Sequence, residues 1–417
     1  MCHGTSVRQI FVGLFCLLSP LWAKSDGPSW DVNYKQGLAA FDAGRYNEAA
    51  QALTAAVDQA REFSPVDARF VKSAYTLALA YYVQGQPALA EPLYLEAKSA
   101  VETMGESGRP LLGYVLEALG ELRMQQARWQ ESEQLLGRAV TVCGETHGET
   151  HSCTLTARRR LGELLSMQGR NGEAEELFNQ LIGTMRQARS SPELLAGALT
   201  NLAGVYNAQG RFELAEPLLK ESLAVASQHD MTGPAVADSL VDLGQLYRLE
   251  GDSARAEPLL KKALVIYEKA NDPHQAGALN ELGLMAMDEK KFATARDYLS
   301  RSLSVYQKIV GSTHLFAARV KAGLAEAFLG EHDIPKARTL VAEALTTEHQ
   351  ALGGQHCEYA RLLMLAGKVE EAGHQSKQAD KYYRQALEVY RQSFADGHPE
   401  RTQAEQNYAR FVKSLRN

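Results

Sequence analysis

The sequence has few of the features that mark nucleic-acid binders and membrane proteins. Its 417 residues carry a formal net charge of −6, and the longest basic run that we find is the triplet 158–160. Nucleic-acid-binding domains usually carry a clustered basic face, so this charge balance argues against that class of partner. Outside one apolar run near the N-terminus, no stretch approaches the roughly 20 apolar residues that a spanning helix needs.

Motifs for common catalytic chemistry are also missing. The sequence contains no P-loop, no glycine-rich dinucleotide fingerprint and no nucleophile elbow. Runs of β-branched residues are scarce, whereas alanine, leucine, glutamate and glutamine dominate the interior of the chain. These are strong helix formers, so the composition predicts an all-α protein. We expect no enzymatic activity and no cofactor.

The sequence does contain a repeated unit. The stretch from Leu202 to Leu223 returns from Leu243 to Leu264, and both stretches contain Ala-Glu-Pro-Leu-Leu-Lys. Self-similarity at a fixed period is typical of stacked repeats. A small marker residue recurs nine times at spacings of 39 to 42 residues, as Ala49, Ala90, Ser132, Ala174, Ala215, Ala256, Ala295, Ala337 and Ala379.

Each copy predicts two helices joined by a tight turn. The turn lies five residues before the marker, and glycine there closes a helix at low cost. Copies three and seven have Ala127 and Lys290 at the turn, so we expect those turns to be less stable or differently closed. Eighteen residues before the turn, histidine recurs as His151, His314 and His356, which indicates a feature of the connecting loop.

Residues 1–23 are predicted to be a signal peptide. Arg8 gives a positive start, residues 10–18 form a short apolar run, and the small Ala23 precedes the expected cleavage site. We therefore expect an exported protein, periplasmic or secreted, with no membrane span after cleavage. An uncleaved anchor is the alternative, although the apolar segment is short for a spanning helix.

The rest of the chain divides into three predicted regions. Residues 24–33 form a flexible lead, residues 34–399 form nine helix-pair repeats, and residues 400–417 form a C-terminal capping helix. A cap is expected because the last repeat of a stack exposes its core.

The pattern resembles the tetratricopeptide repeat. Gly37, Gly44, Tyr46 and Ala49 match its consensus in the stretch GLAAFDAGRYNEAA. The period of about 42 residues and the Leu-Gly-x-x-His loops, as in residues 352–356, are similar to the longer kinesin-light-chain type. The resemblance covers about residues 31–414. It implies a right-handed α-solenoid of antiparallel helix pairs, in which the first helices line a concave groove that binds peptides or partner proteins.

The resemblance also indicates which polar residues face the groove. Arg159 and Arg160 could bind a carboxylate through two parallel hydrogen bonds, and asparagine can bond a peptide backbone as donor and acceptor. The alternative is that these residues form the solvated side of amphipathic helices. The candidate partner-binding residues are Arg159, Arg160, Glu163, Thr200, Asn201, Asp242, Gln245, Asn280 and Glu281.

Cys143 and Cys153 bracket a loop that also contains His147 and His151. Two sulfurs and two imidazoles could hold zinc, but the paired short spacings of zinc modules are missing. In an exported protein a disulfide between Cys143 and Cys153 is the favoured reading, and two thiols are the alternative. We expect no metal site, and we expect Cys357 to be a buried thiol.

Three functions are consistent with the sequence. The leading hypothesis is an exported, non-enzymatic scaffold that binds a peptide or a partner protein in the groove. The second is a structural spacer or assembly factor of the cell envelope that acts by repeat-to-repeat contacts, in which case self-association is expected. The third is a metal-dependent enzyme on a helical-repeat shell.

Overall fold

A computed structural model of the chain describes residues 28–63, 67–228, 233–270, 272–309, 311–312, 314–394 and 396–415. The predicted signal peptide and its cleavage site after Ala23 lie outside these residues. Within them the structure is helical and contains no strand. No helix in these ranges is long and apolar enough to cross a bilayer.

The described residues form nineteen α-helices and one short 3₁₀ turn at Gly105–Ser107. In chain order the helices are α1 (Pro28–Asp42), α2 (Tyr46–Arg61), α3 (Ala68–Val83), α4 (Pro87–Thr103), α5 (Arg109–Gln125), α6 (Trp129–His147), α7 (Ser152–Met167), α8 (Asn171–Ala188), α9 (Pro192–Ala208), α10 (Phe212–Ser227), α11 (Pro234–Leu249), α12 (Ser253–Ala270), α13 (Gln275–Asp288), α14 (Phe292–Ile309), α15 (Leu315–Gly330), α16 (Ile334–Leu352), α17 (Cys357–Ala372), α18 (Ser376–Ser393) and α19 (Pro399–Ser414).

These helices belong to two compact units that divide between Gly210 and Arg211. The first unit contains α1 to α9, and the second contains α10 to α19. Within each unit, consecutive helices pack against one another in chain order. Odd-numbered helices from α1 to α17 are the first helices of the repeats, and even-numbered helices are the second helices. This order confirms the predicted all-α solenoid of helix pairs.

Small residues let the two helices of a repeat approach closely. All nine marker residues are fully buried. Glycines in the first helices act in the same way, because a Cβ on Gly120 would lie 2.7 Å from the Leu136 side chain and one on Gly37 would lie 2.6 Å from Leu53. Real Cβ contacts are not that short, so a larger residue there would push the pair apart.

The turns at Ala127 and Lys290 close in the same way as the glycine turns. Their φ angles are +56° and +59°, against +70° at Gly210. The expectation of a different closure is therefore wrong, whereas lower stability stays a prediction, because left-handed backbone costs a residue with a side chain roughly 1–2 kcal/mol. His332 and His374 have the same conformation at the turns of copies eight and nine.

The recurrent histidines are N-terminal caps of first helices. Nδ1 of His151 accepts a hydrogen bond from the backbone N–H two residues later at 3.2 Å, and the corresponding bonds to His314 and His356 are 3.1 Å. Such a bond satisfies one of the amide groups left open at a helix start. Burial, and then the neighbouring His147, lower the pKa of His151. The neutral imidazole that can accept this bond is therefore favoured.

The predicted flexible lead is wrong for residues 28–33, because α1 already begins at Pro28. The rings of Trp30 and Tyr34 stack with centroids 5.2 Å apart, and the Trp30 indole N–H donates to Ser73 at 3.0 Å. Proline suits the first turn of a helix, and the stacked pair packs the first turns of α1 against α3. At the other end, α19 begins one residue before the predicted cap and buries Phe411.

Candidate functional site

The first helices of the first unit carry a buried group of charges, here called the arginine–glutamate cluster. It consists of Glu117 and Glu121 on α5 with Arg159, Arg160 and Glu163 on α7. Positions three and four apart on a helix lie on the same face, so each helix presents its charged groups together. All five side chains are at most 11% exposed.

Arg160 lies at the centre of the cluster. Its guanidinium contacts three carboxylates, with N–O distances of 3.2 Å to Glu117, 2.9 Å to Glu121 and 2.9 Å to Glu163. Its side chain is only 1% exposed. A buried guanidinium is tolerated when its donors meet well-placed acceptors, and these contacts meet that condition.

Arg159 extends the cluster on α7, and Asn201 connects it to α9. Arg159 donates to Glu163, and the Asn201 side-chain amide donates to the same carboxylate at 2.5 Å. The cluster therefore joins the first helices α5, α7 and α9 of three consecutive repeats. Tyr82 on α3 adds a fourth, since its hydroxyl donates to Glu121 at 3.0 Å.

This placement differs from the expected exposed pair of arginines. The two guanidinium groups bind glutamates of the chain itself, and both side chains are at most 3% exposed. The expectation of direct bidentate contact with a partner's carboxylate is wrong for this conformation, because such a contact would have to displace internal ion pairs. A partner-binding role for this face stays a prediction.

The cluster perturbs the ionisation of its carboxyl groups in opposite directions. Burial raises the pKa of Glu121, which Arg160 opposes and the neighbouring Glu117 reinforces. Burial would also raise the pKa of Glu163, but the adjacent Arg159 and Arg160 outweigh it and lower that pKa. With three carboxyls and two guanidiniums, the cluster carries one excess negative charge when all five groups are ionised.

The predicted residues of the second unit form a smaller contact set. Glu281 on α13 accepts from Gln245 at 3.4 Å and from Arg248 at 3.1 Å, both on α11. Arg248 also contacts Asp288 at 2.7 Å. The three other predicted residues are half-buried and stand on first helices, namely Thr200 in the first unit and Asp242 and Asn280 in the second.

Sequence reasoning missed the partners of these residues. Glu117 and Glu121 stand ten and six residues before the turn at Ala127, the same register at which Arg159 and Glu163 precede Gly169. The nine candidate residues stand ten, nine or six residues before their turns, and extending that register to the third copy would have found both. Arg248 stands three residues before its turn, outside that register.

Cys143 and Cys153 form a disulfide, with Cα atoms 5.7 Å apart. It links the end of α6 to the start of α7, and both sulfurs pack over Gly113 of α5, where a Cβ would collide with them. Among the described residues, no group of three or more histidine, cysteine, aspartate or glutamate side chains is arranged to hold a metal ion. Cys357 is buried.

Comparisons with known proteins agree on the repeat. Tetratricopeptide repeat models match residues 34–104, 111–187, 194–269 and 274–347. No curated protein matches the chain.

Two solved Rap structures share the fold at low sequence identity, and a third structure resembles part of the chain. A Rap protein complexed with Competence and Sporulation Factor is 13% identical, with a TM-score of 0.60 over 88% of this chain and 99% of that chain. The apo form of RapI is 13% identical, with a TM-score of 0.50 over 87% and 98%. BtubC (BKLC) from P. vanneervenii is 20% identical, with a TM-score of 0.46 over 54% and 92%. With the matched repeats covering most of its length, the chain belongs to the tetratricopeptide repeat family.

Proposed function

We propose that this chain is an exported, non-enzymatic scaffold that binds a peptide or a partner protein along the polar face of its first helices. Tetratricopeptide repeat proteins are scaffolds for protein–protein interaction, and the fold supports that general role. The export step rests on the predicted signal peptide. The neighbouring Rap structure holds Competence and Sporulation Factor, which is consistent with a second molecule on this fold.

The observation that supports binding on this face is the hydrogen-bonded connection between consecutive first helices. Tyr82, Glu121, Arg160, Glu163 and Asn201 link α3, α5, α7 and α9 through polar side chains. A solvated helix face does not need such connections, and buried polar networks fix side-chain positions. The cluster thus gives the face a defined arrangement before any partner arrives.

The roles of individual residues follow from their exposure. Arg159 and Arg160 hold the helices in register, while Asn201, which contacts the cluster, and the neighbouring Thr200 are half-buried on α9. A peptide passing over α9 could exchange backbone hydrogen bonds with these side chains, since both can donate and accept. We therefore assign partner contact to α9 and positioning to the arginines of α7.

Site-specific photo-crosslinking in the native host tests this assignment. A photoreactive amino acid replaces Thr200 on α9 or, as the matched control, the exposed Gln180 on the second helix α8. We expect a discrete crosslinked polypeptide from the Thr200 position and none from Gln180. Equal crosslinking at both positions would contradict binding on the first-helix face, and crosslinks only to further copies of this chain would favour the spacer hypothesis.

Export is tested separately by fractionation and N-terminal sequencing of the mature protein. We expect the chain outside the cytoplasm with Lys24 as its first residue. A cytoplasmic protein that retains Met1 would contradict export but would leave the crosslinking result meaningful.

A further inference from the structure

One buried side chain in the second unit breaks the pattern of the repeats. The position sixteen residues after each turn lies near the end of the second helix, which packs against the first helix of the following repeat. At this position eight copies have an apolar or aromatic residue or cysteine, whereas copy eight has Glu348. The other eight are Ala60, Val101, Cys143, Met185, Ala226, Tyr267, Tyr306 and Tyr390.

Glu348 is buried without a hydrogen bond. Its side chain lies on α16, which packs against α15 and α17, and the residue is 1% exposed. Neither carboxyl oxygen has a hydrogen-bond partner among the residues that the structure describes. A carboxylate buried in this way is removed from water and receives no hydrogen bond in exchange, so its ionised form is unfavourable.

The charged groups that face Glu348 are already engaged with one another. Arg361 of α17 donates to Glu358 at 2.6 Å, and Nε of Arg319 on α15 lies 3.9 Å from the same carboxylate. Both guanidiniums thus interact with Glu358. The negative charge of Glu358 opposes ionisation of Glu348. The charges of two ionised acids and two arginines would cancel. The arginine contacts, however, favour the ionised form of Glu358 alone.

Other charged groups at the two joints also have partners of their own. Lys321 of α15 pairs with Glu343 at 2.9 Å, and Arg338 pairs with Glu370 of α17 at 2.7 Å. His356 caps α17 through its Nδ1. None of these contacts supplies a donor to Glu348.

Burial first, and then the charge of Glu358, raise the pKa of Glu348 to about 7, against the opposing effect of Arg319 and Arg361. The folded-state pKa is therefore above the unfolded value. Such a group contributes stability that is fully present below about pH 4.5 and is lost as the pH rises through about 7.

We propose that Glu348 is a proton-dependent switch for the packing of α16 between α15 and α17. While it is protonated, the neutral acid fits the register that its counterparts fill with apolar side chains. When it loses its proton, the carboxylate must reach water, and the contacts of α16 with both neighbours loosen. This inference concerns the second unit alone and does not depend on the proposed function.

Hydrogen exchange followed by mass spectrometry on the full chain tests the switch. Protection of α16 and α17 is compared at pH 6.5 and pH 8.5 after correction for the intrinsic pH dependence of exchange. We expect wild-type protection of these helices to fall about ten-fold at pH 8.5 and Glu348→Gln protection to stay constant.

Two further variants complete the test. Glu348→Met places in copy eight the residue type found at position 185 and should also abolish the pH effect. Glu388→Gln removes an exposed carboxylate of α18 and should leave the wild-type response unchanged. An equal pH response in wild type, Glu348→Gln and Glu348→Met would overturn the proposal. So would wild-type protection that does not change between the two pH values.

Discussion

Buried glutamates in the two units meet different surroundings. In the first unit, Glu163 receives the Asn201 amide at 2.5 Å and the Arg160 guanidinium at 2.9 Å, and the adjacent arginines lower its pKa. In the second, Glu348 has no donor among the described residues, although two arginines lie nearby, and its pKa is raised. Net charge does not separate the two cases, because each acid has two arginines near it. Contacts do, because only Glu163 can ionise without leaving a bare buried carboxylate.

The largest effect is expected from removing the centre of the paired cluster. Arg160→Met keeps the apolar stem but leaves Glu117, Glu121 and Glu163 without their shared guanidinium, which should cost about 3–5 kcal/mol of unfolding free energy. Urea denaturation at pH 7.5 measures the loss. Arg138→Met is the control, since Arg138 pairs with Glu102 on the surface and such pairs contribute under about 1 kcal/mol. Similar losses in both variants would break the distinction between the cluster and surface pairs.

The disulfide should stabilise the first unit and leave the second unaffected. The Cys143→Ala/Cys153→Ala variant opens a loop of about ten residues, for which the loop-closure relation gives about 2–3 kcal/mol. It also frees the start of α7, six residues before Arg159. We expect reduced exchange protection in α5 to α7 and unchanged protection in α15 to α17. Loss of protection in both regions would show that the disulfide stabilises more of the chain than the helices around the arginine–glutamate cluster.

Removing the unpaired acid should have the opposite sign. At pH 8.5, Glu348→Gln should raise the unfolding free energy by about 1–3 kcal/mol, because the neutral amide avoids a buried charge. At pH 5.5 the gain should be clearly smaller, because the native carboxyl is then protonated and only the uptake of a proton on folding still costs free energy. Denaturation curves of both proteins at the two pH values measure this. A gain that is the same at both would mean that packing, and not ionisation, is responsible.

The smallest effect concerns a feature that both units share. Ala127→Gly in the first unit and Lys290→Gly in the second relieve a left-handed backbone at equivalent turns, and each should add about 1 kcal/mol of stability. Gly169→Ala introduces the same strain and should remove a similar amount. Thermal unfolding of the three variants measures these changes in stability. Unequal gains at Ala127 and Lys290 would show that the turns differ in more than local strain.

The repeats could be predicted from the sequence because their spacing follows from the packing of the helix pairs. A small residue every 39 to 42 positions keeps the paired helices close, and the turn and cap residues recur with it. The recurrence of His151 at a loop register also pointed to its structural role. These features depend on neighbours within a few residues or on one period, which a sequence displays directly.

The contacts between the buried charged side chains could not be predicted from the sequence in this way. Arg160 meets Glu117 across 43 residues, and on a helical wheel both look like solvated groups. Glu348 occupies a register that the other copies fill with apolar or aromatic residues or cysteine, so the sequence indicates a buried position, but it does not show that the carboxyl lacks a hydrogen-bond donor there. The lead at residues 28–33 was misjudged for the same reason, because Trp30 finds its partner at Ser73.

The contrast between paired and unpaired buried acids is tested most directly in one exchange experiment on the wild-type chain. Protection of α7 and α9, which Glu163 and Asn201 join, is compared with that of α16 and α17 at pH 6.5 and pH 8.5. We predict that α16 and α17 lose about ten-fold in protection at the higher pH, and that α7 and α9 lose several-fold less, because the lowered pKa keeps Glu163 ionised at both pH values. Equal losses in the two regions would contradict the claim that the contacts of a buried acid determine its response to pH.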